Sequence, residues 1–177
     1  TLIFTPSANT KVVHSYMGKK FVVFKKTSSQ FTEEKSVINA KGSTQSGGSV
    51  SCLALDVLIQ FGCHPIFLTG QDLSFPSSRT YSSFSNNNKQ MLDKLDSAYS
   101  LKGSHKSDSI RQKTVNVKNI VGDNVVTNQA MYSYIRGIEE IAAVNPKIKI
   151  YNLCSHGAKI NKVIPLGSVN ELIKFLA

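Results

Sequence analysis

Apolar residues occur along this chain in short runs separated by polar stretches, and their period changes from one run to the next. Leu2–Phe4 and Phe21–Phe24 are continuous apolar runs too short for a helix, and each predicts a strand. A stretch rich in Lys, Ser and Thr follows, from Lys25 to Gln45. The period then switches: Val50, Leu53, Ala54, Val57, Leu58 and Phe61 recur at helical spacing and predict a helix over 50–61. Cys52, Leu55 and Ile59 widen that stripe, so the helix is expected to be well buried. Gly62 suits its end. Pro65–Thr69 reads as a fully buried strand of the kind found in parallel sheets. Gly70-Gln71-Asp72 stands at its carboxyl end, and Ser74–Asn88, rich in Ser, Asn and Pro, forms a long loop.

The second half repeats the alternation. Lys89–Tyr99 is a short helix candidate, Gly103–Arg111 is polar, and Val115–Val121 predicts a strand. Thr127 is placed to cap a helix running to about Val144, with Met131, Tyr134, Ile135, Ile138, Ile141 and Ala142 as its apolar stripe. Asn145-Pro146 stops it, Lys147–Leu153 alternates as a strand, and Ser168-Val169-Asn170-Glu171 is a capping box opening a last helix. This order predicts an α/β fold: a Rossmann-like, mostly parallel sheet flanked by helices, with right-handed crossovers and residues 1–177 in one domain.

Composition narrows the function classes. With 41% hydrophobic and 18% charged residues, the chain is globular rather than disordered. No apolar run approaches the ~20 residues of a membrane span. Lys and Arg outnumber Asp and Glu by 21 to 11, a net charge of +10, which suits anionic partners but is equally the mark of a solubilising Lys-rich surface, so charge alone decides nothing. The arginines are Arg79, Arg111 and Arg136 alone, the basic residues are scattered, and no basic-aromatic motif supports nucleic-acid binding. Cys52, Cys63 and Cys154 make a poor zinc framework, and Cys52 reads as a small core residue. A reducing, cytoplasmic setting is expected. The sequence opens on Thr1 with a strand and no leader pattern, and is expected to be a piece of a longer chain.

Four places carry candidate chemistry. Ser46-Gly47-Gly48-Ser49 opens the buried helix, where close backbone approach and unpaired N–H groups suit a phosphate; the plainer alternative is a glycine turn capped by Ser49. Gly70-Gln71-Asp72 lies where open α/β sheets bind ligands, so Asp72 is placed to hold a ribose hydroxyl, a sugar hydroxyl or a metal, or simply to cap a turn. Arg79 and Tyr81 sit in the polar loop and are candidates to close over a ligand phosphate, against the plainer reading of an ordinary loop. His105, in Gly103-Ser104-His105-Lys106-Ser107-Asp108, is a candidate general base, against the plainer reading of a solvated loop histidine. His14 and His64 look structural, and His156, beside Gly157, is a second-rank candidate.

Three blocks taken together resemble a known family: Gly47-Gly48-Ser49-Val50 with Gly70-Gln71-Asp72-Leu73; Val121-Gly122-Asp123-Asn124-Val125-Val126-Thr127; and Ile150-Tyr151-Asn152-Leu153 with Gly157-Ala158-Lys159-Ile160. The chain resembles the motility accessory factor (Maf) family, whose core domain is also named after the archaeal 6-hydroxymethylpterin pyrophosphokinase MptE. That resemblance implies a protein that glycosylates flagellin in the cytoplasm, moving a nonulosonic acid of the pseudaminic or legionaminic type from a CMP-activated donor to Ser or Thr hydroxyls. The core is similar to bacterial sialyltransferases, where a Thr-Ser-Gly turn contacts CMP and a Gly-x-Asp follows the next strand.

The matching positions are Gln45-Ser46-Gly47 and Gly70-Gln71-Asp72, with Gln45 in place of the Thr. The resemblance implies Ser46, Gly47, Gly48, Gly70, Gln71, Asp72 and Tyr81 as substrate-binding residues and a base at either His105 or Asp123. No tightly bound cofactor is implied, the CMP-sugar donor being a substrate, and Mg2+ is left open. A Gly-x-Gly-Pro-Ser-type nucleotide loop has no match, so the upstream nucleotide-binding half is expected to precede Thr1. Two other classes compete: a pterin pyrophosphokinase using ATP with magnesium, and a non-catalytic module that binds flagellin.

Overall fold

The computed structural model describes residues 1–25, 43–45, 48–75 and 114–176. The chain divides into two compact units, Thr1–Cys63 and His64–Ala177. It is mixed α/β, with parallel sheets and flanking helices.

In the first unit, β1 (Leu2–Phe4) and β2 (Lys20–Val22) pair in parallel, joined through α1 (Thr10–Ser15). Asn9 caps α1 by accepting the Lys11 N–H, and none of the helix residues is buried, His14 included. Beyond β2, Thr44 returns to the chain end: its N–H and hydroxyl both donate to the Phe24 carbonyl, at 2.8 and 3.2 Å.

The helix α2 (Val50–Gln60) starts at Ser49, whose hydroxyl accepts the Cys52 N–H. Its buried face is Cys52, Leu55, Asp56 and Val57, while Val50 is 82% and Phe61 70% exposed. The expectation of a well-buried helix is thus corrected: of the expected stripe, Val50, Ala54, Leu58 and Phe61 are exposed. Asp56 lies on the buried face instead. Its carboxylate accepts the Gln45 N–H at 2.9 Å and the Gln60 amide at 2.7 Å, fastening the incoming loop to the helix. A buried carboxylate is tolerated only when hydrogen bonds replace its water. Gly62, with φ +76°, ends the helix as expected.

The second unit is built on a three-stranded parallel sheet, β3 (Ile66–Thr69), β6 (Ile150–Leu153) and β7 (Ile164–Leu166), in the order β3-β6-β7. The expectation of a fully buried strand at 65–69 is corrected: only Ile66 is buried, and Thr69 is exposed. Among the described strands β3 lies at one side of the sheet, and β6, flanked on both sides, takes the centre with Ile150, Tyr151 and Asn152 buried. β7 was not foreseen, because Ile164-Pro165-Leu166 is too short to show a period. His64 has the structural role expected of it: its Nδ1 accepts the Lys149 N–H and ties the starts of β3 and β6.

Between these strands the chain forms an antiparallel hairpin, β4 (Thr114–Lys118) and β5 (Asn124–Asn128). The expected helix start at Thr127 is thus corrected. Thr127 is a fully buried strand residue donating its hydroxyl to the Leu73 carbonyl at 2.8 Å, and Asn128 is the cap of α3 (Gln129–Val144). Asn128 Oδ1 accepts the Met131 N–H at 2.7 Å. Along α3 the stripe holds: Ile135, Ile138, Ile141 and Ala142 are buried, and Asn145 closes the helix. Each such isoleucine contributes roughly 1.5–3 kcal/mol by leaving water.

The last helix, α4 (Val169–Leu176), opens on Ser168, whose hydroxyl accepts the Glu171 N–H at 3.3 Å. The Glu171 carboxylate bonds the Gly167 N–H, one residue earlier than a standard capping box. Phe175 packs its ring edge against Phe67 and tilts onto Tyr151, which itself stacks on Phe67 at 5.1 Å. This aromatic trio docks α4 on the sheet.

Candidate functional site

A parallel sheet gathers the ends of its strands on one side, so the loops that follow β3 and β6 meet there. Gly70 turns the chain at the end of β3 with φ +69°, and no atom of the described residues beyond its chain neighbours lies within 4 Å of where its Cβ would be. Conformation, rather than space, therefore requires glycine at this position. Leu73 follows in the same left-handed region at φ +47°.

This loop is held from three directions. The Asn152 amide donates to the Gln71 carbonyl at 3.1 Å, Thr127 holds the Leu73 carbonyl, and the Phe75 N–H donates to the Val126 carbonyl at 2.9 Å. Against Asp72 lies the turn after β6. The Ala158 N–H donates to the Asp72 carbonyl at 2.7 Å, and the Cys154 thiol donates to Asp72 Oδ1 at 3.2 Å. Gly157 sits between them: a Cβ there would lie 2.5 Å from Cys154 Sγ and 2.6 Å from the Asp72 Cα and carbonyl oxygen. This is a glycine required by close approach.

Burial and the bond to Asp72 push the Cys154 thiol up to about 11, so it stays protonated at neutral pH and serves as a donor. With one carboxylate oxygen held this way and the side chain exposed, Asp72 has a second oxygen without a hydrogen-bond partner among the described residues, and such an oxygen can accept from hydroxyls or face a cation. The buried Asn152 Oδ1 and Ser74 Oγ have no hydrogen-bond partner among the described residues.

The remaining candidates are placed as follows. Ser49 takes the capping role that was the plainer alternative, and Gly48 carries φ +87° before it; both belong to the first unit, whereas Gly70, Gln71 and Asp72 belong to the second. Ser46, Gly47, Arg79, Tyr81 and His105 lie outside the described residues. Asp123 is exposed at the hairpin turn, where its N–H donates to Asn119 Oδ1 at 2.8 Å and its carbonyl accepts the Asn119 N–H. Ala158 links the two regions of the second unit, since it bonds Asp72 and also bridges to Asn119. His156 is exposed in the turn after β6.

Sequence reasoning missed Cys154 and Gly157 as partners of Asp72. The only signal was their clustering just after an alternating strand. Among the described residues no group of three or more His, Cys, Asp and Glu is arranged to hold a metal ion, and no helix is long and apolar enough to cross a membrane.

Comparison with known proteins gives one family. Residues 1–78, which include the Gly70–Asp72 loop, match the model described as 6-hydroxymethylpterin diphosphokinase MptE-like. No curated protein and no solved structure matches the chain.

Proposed function

We propose that this chain is a nucleotide-dependent transferase that moves a nonulosonic acid from a CMP-activated donor to Ser or Thr hydroxyls of flagellin in the cytoplasm. The observation that supports it is the Gly70–Asp72 loop: a solvent-facing carboxylate at the carboxyl end of a parallel strand, held by Asn152, Cys154 and Ala158. In this reading Asp72 accepts hydrogen bonds from ribose or sugar hydroxyls, with the backbone of Gly70 and Gln71 forming the approach. Ser46, Gly47, Gly48 and Tyr81 serve the departing phosphate, where negative charge grows as the bond to the anomeric carbon breaks. The acceptor oxygen forms the new bond to that carbon, and its proton passes to His105 or Asp123.

The family match favours a second reading, transfer of diphosphate from magnesium-bound ATP to the hydroxymethyl group of a pterin, with Asp72 facing the magnesium nucleotide. Calorimetric titration of CMP and of ATP with magnesium separates the two. Tight binding of CMP alone, weakened at least about tenfold (1.4 kcal/mol) by Asp72→Asn, is the expected result. Preference for magnesium ATP overturns the first reading in favour of the second. Failure of both nucleotides to bind overturns both and leaves a flagellin-binding module.

A further inference from the structure

The second unit contains a cleft of about 380 Å³ that neither transferase reading uses. One wall is a single face of α3, where Tyr132, Ile135, Arg136 and Glu139 recur at helical spacing. The opposite wall is β4 at Val117 and Lys118, and the segment at Lys159 and Asn161 closes one side. These three pieces are fastened to one another. The Lys159 N–H donates to the Lys118 carbonyl at 2.8 Å, which sets two lysines side by side. Glu139, 7% exposed, accepts the Asn161 N–H and amide on one oxygen and the Arg136 guanidinium on the other.

The charges do not cancel. Among the described residues lining the cleft, Lys118, Lys159 and Arg136 stand against Glu139 alone, and that carboxylate already accepts from Arg136 and Asn161. Lys118 and Lys159 form no ion pair among the described residues. The cleft therefore keeps the equivalent of two positive charges beside an apolar strip of Val117, Ile135 and the Tyr132 ring. Its volume lies within the range of small-molecule sites, and a few placed polar groups on an apolar wall are their usual construction.

We propose that this cleft binds a small phosphomonoester. Its dianionic head lies among Lys118, Lys159 and Arg136, and its organic body lies against Tyr132, Val117 and Ile135. Arg136 is a recognition residue, held in place by Glu139, and its planar fork suits phosphate oxygens. The site is independent of the transferase reading, because its residues are distinct from the Asp72 loop.

The test is calorimetric titration of the 177-residue chain with phenyl phosphate, with phenyl sulfate as the monoanionic comparison. Saturable 1:1 binding of phenyl phosphate is expected, at least about tenfold tighter than phenyl sulfate. The double substitution of Lys118→Ala and Lys159→Ala is expected to weaken binding at least about tenfold, with little effect on the melting temperature, because both side chains are exposed. Asp72→Asn is expected to leave it unchanged. Absence of saturable binding, equal affinity for the sulfate, insensitivity to the double substitution, or loss of binding in Asp72→Asn would each overturn the proposal.

Discussion

Gly157→Ala is the sharpest probe of the strand-end loops. The added methyl would lie 2.5 Å from Cys154 Sγ and 2.6 Å from both the Cα and the carbonyl oxygen of Asp72. Ordinary contacts between such atoms are about 3.5–4.0 Å, so the overlap is roughly 1 Å at three atoms. Two of those atoms are backbone, and side-chain rotation cannot relieve them. The Asp72 loop must move, which stretches the 2.7 Å bond from the Ala158 N–H and the thiol bond to Asp72. Overpacking of this kind costs about 1–3 kcal/mol, and backbone involvement places it in the upper half of that range. In urea, with a slope near 2 kcal/mol per molar, a loss of about 2 kcal/mol lowers the unfolding midpoint by about 1 M. Gly167→Ala is the control, because its Cβ would meet only Glu171 Oε1, at 3.6 Å. A Gly157→Ala protein that unfolds at the wild-type midpoint would refute the close-packed loop described here.

Three further outcomes follow from the same geometry. Asp56→Ala removes the acceptor for the Gln45 N–H and the Gln60 amide, and is expected to cost about 2 kcal/mol in thermal or urea unfolding; a loss under about 0.5 kcal/mol would contradict its anchoring role. Cys154 is raised from 9.0 to about 11 in the folded chain, so the unfolded chain loses this proton first as pH rises. Its contribution is complete below pH 9 and lost between about pH 9 and 11, a fall on the order of 2 kcal/mol that Cys154→Ala should lack in urea titrations at pH 8 and 10.5. Asn128→Ala removes the cap of α3 and is expected to cost about 1 kcal/mol, whereas Thr127→Val tests the buried hydroxyl on Leu73; a thermal midpoint unchanged by both would contradict the placement of the hairpin.

Long periodic segments and short continuous apolar runs were legible in the sequence, whereas the proline-broken strand β7 and residues placed by a single distant contact were not. Both major helices, over 50–60 and 129–144, follow from apolar spacing, and the turn after β3 from the glycine that ends its apolar run. The face that α2 buries was misread because a hydrophobic stripe ranks Asp56 as polar, whereas two hydrogen bonds make it an interior residue. Thr127 was misread for a similar reason. A threonine before a helical pattern is a good cap, but here its hydroxyl is spent on a carbonyl 54 positions away in sequence, and the neighbouring asparagine caps instead. Asp72 was singled out as a candidate because open α/β sheets bind ligands beyond their strand ends, and it lies exposed in the loop after β3. Cys154 and Gly157 escaped because their partnership with Asp72 spans more than eighty residues and leaves no local pattern.

Leu73 holds a left-handed turn that glycine would adopt freely, at a conformational cost of about 1–2 kcal/mol to the folded chain. Its carbonyl is gripped by the buried Thr127 hydroxyl, so the turn is maintained from outside rather than by its own preference. The loop therefore carries an unused reserve of stability immediately beside Asp72. A residue at ease in that turn, such as asparagine, releases part of the reserve without altering Asp72 or its bonded partners. For evolution or design, position 73 is a ready source of compensation: losses incurred while reshaping the neighbouring strand-end surface can be recovered there, one residue away.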